Sequence, residues 1–159
     1  MSMEKESEDP IECFSNILGY DFYDKSLLTT ALRHRSWVSE TAEENVESNE
    51  RLEFLGDAVL TWVVTDILFT KYPELSEGDL TGIRKRMVAN TTLYDIAKSL
   101  NLETYIYLGR GELVTNINEK KQSMSILADA MEAIIGAIYV DSLVSLHHTI
   151  RASRSSHHH

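Results

Sequence analysis

The stretch Asn49–Leu60, NERLEFLGDAVL, decides how this chain is read. It has the apolar density of a buried helix, yet it carries Glu50, Glu53 and Asp57. At about 100° per residue those three positions fall within roughly 60° of one another and form one acidic stripe. Leu52, Leu55, Val59 and Leu60 cover much of the remaining circumference, and Arg51 is the one basic residue inside the run. Carboxylates crowded on one face repel each other, so the spacing calls for a cation or water.

A second stretch repeats the pattern. In MSILADAMEAIIGAIYV, about residues 123–141, Asp129 and Glu132 share a helical face among Ile126, Leu127, Met131, Ile134, Ile135 and Ile138. Ala128, Ala130, Ala133, Gly136 and Ala137 are small enough for another helix to approach closely. Acids three apart are ordinarily just a solvated face. Two such stripes on two apolar helices suggest instead that the helices pack, with Glu53, Asp57, Asp129 and Glu132 converging. An all-oxygen, all-anionic set suits Mg²⁺ or Mn²⁺ rather than Zn²⁺. Such ions commonly act on phosphates, activating water and screening the substrate from surrounding anions.

Composition frames this reading. The chain has 159 residues, 43% of them hydrophobic, and a net charge of −10. It is long enough for one globular domain with a core. Taken alone the charge argues against a polyanionic partner, but many acids lie in the N-terminal tail and in SETAEENVESNE, residues 39–50. Basic groups remain at Arg33, His34 and Arg35, at Arg84, Lys85 and Arg86, and at Lys120 and Lys121. Cys13 is the sole cysteine, which excludes an intrachain disulfide and suggests a thiol in a reducing, cytoplasmic setting. No uninterrupted apolar run approaches ~18–20 residues, so no membrane partner is expected. The sequence lacks E-x-x-H, H-E-x-x-H and G-x-x-x-x-G-K-[ST], so neither a di-iron bundle nor a zinc protease nor a P-loop is indicated.

Helical periodicity runs nearly throughout and predicts an all-α fold. Helices are expected over about 10–18, 25–34, 49–71, 77–89, 91–100 and 123–141. Ser76 should cap the helix after it, with Asp79 three residues on, and Asn90 the next. Residues 36–47 are expected as a polar loop, and 102–118, with Gly109 and Gly111, as a loop with at most a short helix. Residues 1–10 read as an acidic tail, 11–150 as the domain, and 151–159, RASRSSHHH, as an appended tail with a partial histidine tag.

NERLEFLGD at 49–57 resembles the signature of the ribonuclease III family. The resemblance continues through LRHRSW (32–37), YPELSEGDLTGIRKRMVAN (72–90), LGRGE (108–112) and SILADAMEAIIGAIYVD (125–141), covering about residues 11–150. It implies an all-α endonuclease domain, a helical bundle forming a homodimer, which cuts double-stranded RNA with Mg²⁺ or, in its place, Mn²⁺. By position, Glu53, Asp57, Asp129 and Glu132 resemble the metal ligands, with Asp57 and Glu132 central to catalysis. Glu50 and Glu77 resemble further acids near the scissile strand. Phe54 resembles an aromatic anchor that enters the partner subunit, and His34 and Ser36 match an H-x-S motif read as structural. The implied chemistry is in-line attack by metal-activated water, leaving 5′-phosphate and 3′-hydroxyl ends, in rRNA and mRNA processing. The SILAD style resembles bacterial members and not Dicer. NINEKKQSM replaces a segment that is often Gly-Gly with basic residues, and Trp37 stands where Tyr is commoner. The absent double-stranded-RNA-binding domain reads as truncation. A catalytically silent RNA- or ribosome-binding scaffold, and a hydrolase of small phosphate compounds, are the rival readings.

Overall fold

Asp9, Pro10 and Gly19 delimit the first helix as local chemistry dictates. The Asp9 carboxylate accepts the Ile11 N–H, Pro10 opens the helix, and Gly19 closes it at φ 69°. The computed structural model describes residues 8–115 and 120–155, which form helices linked by short connections. They are α1 (Pro10–Leu18), α2 (Lys25–Ala31), α3 (Arg35–Glu40), α4 (Glu50–Lys71), α5 (Glu77–Met87), α6 (Asn90–Ser99), α7 (Leu102–Tyr105), α8 (Arg110–Thr115) and α9 (Lys120–Ser155). Among the described residues the only β pairing is a single bridge between Arg33 and Tyr107. The all-α expectation holds.

Several boundaries differ from the sequence expectation. Residues 36–47 are not wholly loop, because His34 caps a short helix, α3, with its ring nitrogen. The helix expected to reach 34 ends at Ala31, where the chain turns to make the Arg33 bridge. Asn90 is the first residue of α6 and not its cap, a place taken by Ala89 without a side-chain bond. Ser76 does cap α5, accepting the Asp79 N–H at 3.2 Å. Segment 102–118 holds two short helices, α7 and α8, where at most one is expected. The last helix extends past 141 to Ser155. Residues 1–7, 116–119 and 156–159 lie outside the described residues, so most of the acidic tail, part of NINEKKQSM and the histidine run are not placed.

α9 is the axis of the bundle, packed against α2, α4 and α6. Between Ile126 and Ala137 it is apolar nearly all round, and Ala128, Ala130, Ala133 and Ala137 are fully buried, as a helix enclosed by others requires. Phe14, Leu28, Leu32, Leu102 and Ile134 complete the core. By length and composition, one helix within the described residues, Lys121–Ser153, is apolar enough to cross a membrane, although no uninterrupted run suggested it. Half of its most apolar window is buried inside the fold, and the helix as a whole carries Asp129, Glu132 and Asp141, which fits a core helix.

Asp141 is a tie that the sequence did not reveal. Its carboxylate is fully buried and accepts three hydrogen bonds, from the Tyr20 hydroxyl at 2.8 Å and the N–H groups of Tyr23 at 3.0 Å and Asp24 at 2.8 Å. It thereby pins the α1–α2 turn to α9. Asp141→Asn keeps the shape but turns an amide NH₂ toward backbone donors. It is expected to cost about 2 kcal/mol, the scale of buried donors left unpaired, and to lower Tm by about 4–8 °C. A melting temperature within 1 °C of the parent would contradict this role.

Candidate metal centre

The acids meet where α4 crosses α9. The start of α4 is held by Asn49, which is buried. Its N–H donates to the Arg33 carbonyl at 2.8 Å and its side-chain amide to the Ala31 carbonyl at 3.2 Å. Glu50 and Glu53 therefore occupy the first turn of α4, where the helix dipole favours negative charge. Asp129 and Glu132 project from the first half of α9, opposite them. Carboxylate oxygens of Glu53, Asp129 and Glu132 all lie within 4.8 Å of one another. Asp57, one turn further along α4, lines the same cleft as Glu132 and acts on it electrostatically. Together with Glu50, Phe54 and Arg35 these acids line a cleft of about 420 Å³.

The electrostatics follow from partial burial and crowding. Glu132 is pushed up to about 7, first by burial and then by the neighbouring charges of Asp57, Asp129 and Glu53. Glu53 is raised for the same reasons, burial first, then Asp129 and Glu50, with Arg35 opposing. Burial also raises Asp129, against a 3.4 Å hydrogen bond from the Ser125 hydroxyl and the fields of His34 and Arg35. Half-buried carboxylates that resist ionising together, on an all-oxygen donor set of this span, fit a hard divalent cation.

Five of the six sequence-assigned acids are thus gathered in one chain. The sixth, Glu77, is not among them. It opens α5, accepts the Thr81 hydroxyl at 2.9 Å, and lines a separate cavity of about 360 Å³ between α4 and α5 with Leu68, Phe69, Leu80 and Arg84. Phe54 stands beside the cleft with 83% of its surface exposed. Two further aromatics of α4, Trp62 and Phe69, are also exposed, at 65% and 74%. The "buried" look of this helix in the sequence therefore holds for one side only: Gly56, Val64 and Leu68 face the core.

His34 and Ser36 stitch the wall of the site. The His34 ring Nδ1 accepts the Ser36 N–H at 3.2 Å and faces the Ser36 hydroxyl at 2.7 Å, which in turn accepts the Gly109 N–H at 2.9 Å. Burial holds the His34 pKa below its ordinary value. Arg35 was visible in the sequence only as part of a basic cluster, and nothing local distinguished it. Arg51, the one cation inside the signature run, points elsewhere and pairs with Glu47 at 3.5 Å. Glu112, which accepts the Gln122 amide at 2.8 Å, lines a small chamber next to Glu53 and Asp129, a placement that periodicity did not suggest.

Comparison with known proteins matches residues 24–151 to the Ribonuclease-III-like family. Ribonuclease 3 of Carboxydothermus hydrogenoformans is 46% identical over 139 residues, which are 87% of this chain and 57% of that protein. Ribonuclease 3 of Borreliella burgdorferi is 44% identical over 149 residues, 88% of this chain and 59% of that one. The chain thus spans a little under three fifths of the length of these relatives. Among solved structures, the nuclease domain of ribonuclease III from Campylobacter jejuni superposes with a TM-score of 0.73 at 42% identity, covering 90% of this chain and 94% of that one. That structure is described as flexible in a region involved in dimer formation. Dicer from Pichia stipitis is similar at a TM-score of 0.58 and 30% identity, over 79% of this chain and half of that one.

Proposed function

This chain belongs to the ribonuclease-III-like family, and on that premise we propose that it is the nuclease unit of a Mg²⁺-dependent endoribonuclease that cleaves double-stranded RNA. The observation that carries the reading is the meeting of Glu53, Asp129 and Glu132 oxygens within 4.8 Å across two helices. Glu53, Asp57, Asp129 and Glu132 would hold the cation. When bound, such an ion polarises a phosphodiester and lowers the pKa of water for in-line attack.

The chain's own groups have distinct parts. Asp57 and Glu132 complete the charge that the cation needs. Arg35, on the lip of the cleft, attracts the phosphate backbone toward an otherwise anionic surface. Glu50 lies near the scissile strand. No side chain serves as a covalent nucleophile; water would add to phosphorus as the bond to the 3′-oxygen breaks and that oxygen takes up a proton, leaving the 5′-phosphate and 3′-hydroxyl ends that the family resemblance implies. Duplex RNA is recognised by shape and 2′-hydroxyls, in the processing of rRNA and mRNA in the cytoplasm. Two copies associate, each cutting one strand, with Phe54 of one copy seated in an apolar cavity of the other. The cavity between α4 and α5 has the lining for this, and Glu77 at its rim would then approach the partner's cleft.

The test is digestion of a duplex RNA with millimolar Mg²⁺, with the ends of the fragments determined. Mn²⁺ is expected to substitute, since both accept all-oxygen sites. Cleavage is expected at low salt and should fall away as salt rises, because affinity for a duplex comes partly from released counterions and a chain of net charge −10 starts from weak binding. Intact RNA at low salt with bound Mg²⁺ would favour the silent scaffold of the same fold. Equal turnover of small phosphodiesters would favour the small-molecule hydrolase.

A further inference from the structure

We propose that Gly56 determines which cation the acid cluster accepts, by holding α4 and α9 at a separation suited to small Mg²⁺ and not to larger Ca²⁺; this rests on the metal-dependent reading above. The two helices meet backbone to backbone. A Cβ at position 56 would lie 1.7 Å from the Glu132 carbonyl oxygen and 2.9 Å from the Gly136 nitrogen. A Cβ at position 136 would lie 2.3 Å from the Leu52 carbonyl oxygen and 3.1 Å from the Gly56 nitrogen. The atoms struck are backbone, so no side chain can swing aside to relieve them. Any side chain at either position must push the helices apart, by about 1 Å or more at position 56.

The contact lies inside the proposed ligand set. Gly56 immediately precedes Asp57 and follows Glu53 by one helical turn, and the atom it touches belongs to Glu132 itself. The distance between α4 and α9 at this point is therefore the distance between the two halves of the cluster. Mg²⁺ requires oxygens at about 2.0–2.1 Å in near-ideal octahedral array, whereas Ca²⁺ accepts about 2.3–2.6 Å in irregular arrays. A wider crossing penalises the first far more than the second. Because both contacts are with backbone atoms, the glycine pair makes the spacing stiff at this point.

The experiment is calorimetric titration of the whole chain with Mg²⁺ and with Ca²⁺, below the melting temperature of each variant. In Gly56→Ala, Mg²⁺ affinity is expected to fall at least about tenfold while Ca²⁺ affinity changes less than about threefold, within the range for altered support of metal ligands. Gly136→Ala, whose Cβ meets Leu52 one turn away, should shift the ratio in the same direction. Asp129 is only partly buried, and Asp129→Glu leaves the crossing untouched, so it should fold whatever happens at position 56. Alone it should weaken Mg²⁺, because a longer arm moves its oxygen off the position that this crossing sets; added to Gly56→Ala it should restore part of the lost affinity. Parallel loss of both cations in the glycine variants would show a merely structural role and overturn the proposal, as would Asp129→Glu binding Mg²⁺ like the parent. If the unaltered chain binds neither ion, the metal-dependent reading fails, and this inference with it.

Discussion

Glu132→Gln is expected to reduce cleavage of duplex RNA by at least about a hundredfold, the scale for losing one preorganised charge-stabilising group, while making the metal-free chain more stable above neutral pH. The two effects have one cause. Glu132 is raised from 4.5 to about 7 by burial and by three neighbouring acids. A carboxyl whose folded pKa lies above its unfolded one holds its proton more tightly when folded. Folding therefore loses stability as pH climbs from about 4.5 to about 7, and the whole penalty is present above that window. Gln cannot ionise and escapes it. Glu132 is only half-buried, so water screens much of the effect. A gain of about 1 kcal/mol, or about 2–4 °C in Tm, is expected at pH 8 in chelator, vanishing near pH 4.5. Millimolar Mg²⁺ should raise the Tm of the parent more than that of the variant, since only the parent retains the full ligand set. Near-normal cleavage at limiting Mg²⁺, or a variant less stable than the parent at pH 8 in chelator, would remove Glu132 from the site.

Phe54→Ala is expected to weaken self-association by about 2–4 kcal/mol, the range for a buried aromatic anchor, which is roughly thirtyfold to a thousandfold in the dimer dissociation constant. The side chain is 83% exposed in a single chain, so its removal leaves no cavity and the fold of each copy should be unchanged. With Trp62 and Phe69 it forms an apolar tract along α4 of a kind that marks an interaction surface. Sedimentation at low micromolar concentration should show a dimer for the parent and mostly monomer for the variant, with the same far-ultraviolet circular dichroism. Duplex cutting should decline with the loss of dimer, leaving more singly nicked product. A variant that sediments as an unchanged dimer would place the anchor elsewhere, with Trp62 and Phe69 the next aromatics on the same helix to test.

The all-α character and the two acid-bearing helices were legible because they rest on local chemistry. Periodicity of 3.6 marks α1, α4, α5, α6 and α9, Ser76 announces its helix through a side-chain bond two to three residues away, and acids three or four apart share a face whatever surrounds them. That Glu53, Asp57, Asp129 and Glu132 belong together was also readable, since two apolar helices with matching stripes have few other ways to bury themselves. What the sequence did not disclose depends on residues distant along the chain. α3 looked like loop because its cap comes from a histidine ring, itself held by Ser36, whose hydroxyl is bonded to Gly109 far downstream. Nothing in the sequence singles out Asp141, which becomes a tie only where the fold closes Tyr20, Tyr23 and Asp24 over it. Glu77 is grouped with the other acids by its motif, yet it faces a different cavity, because a position in a motif says nothing about where the fold carries it. Nor do Gly56 and Gly136 reveal as letters that they touch. Periodicity is a property of one helix, whereas the separation of two helices is set where their backbones meet, and only the tertiary structure decides that.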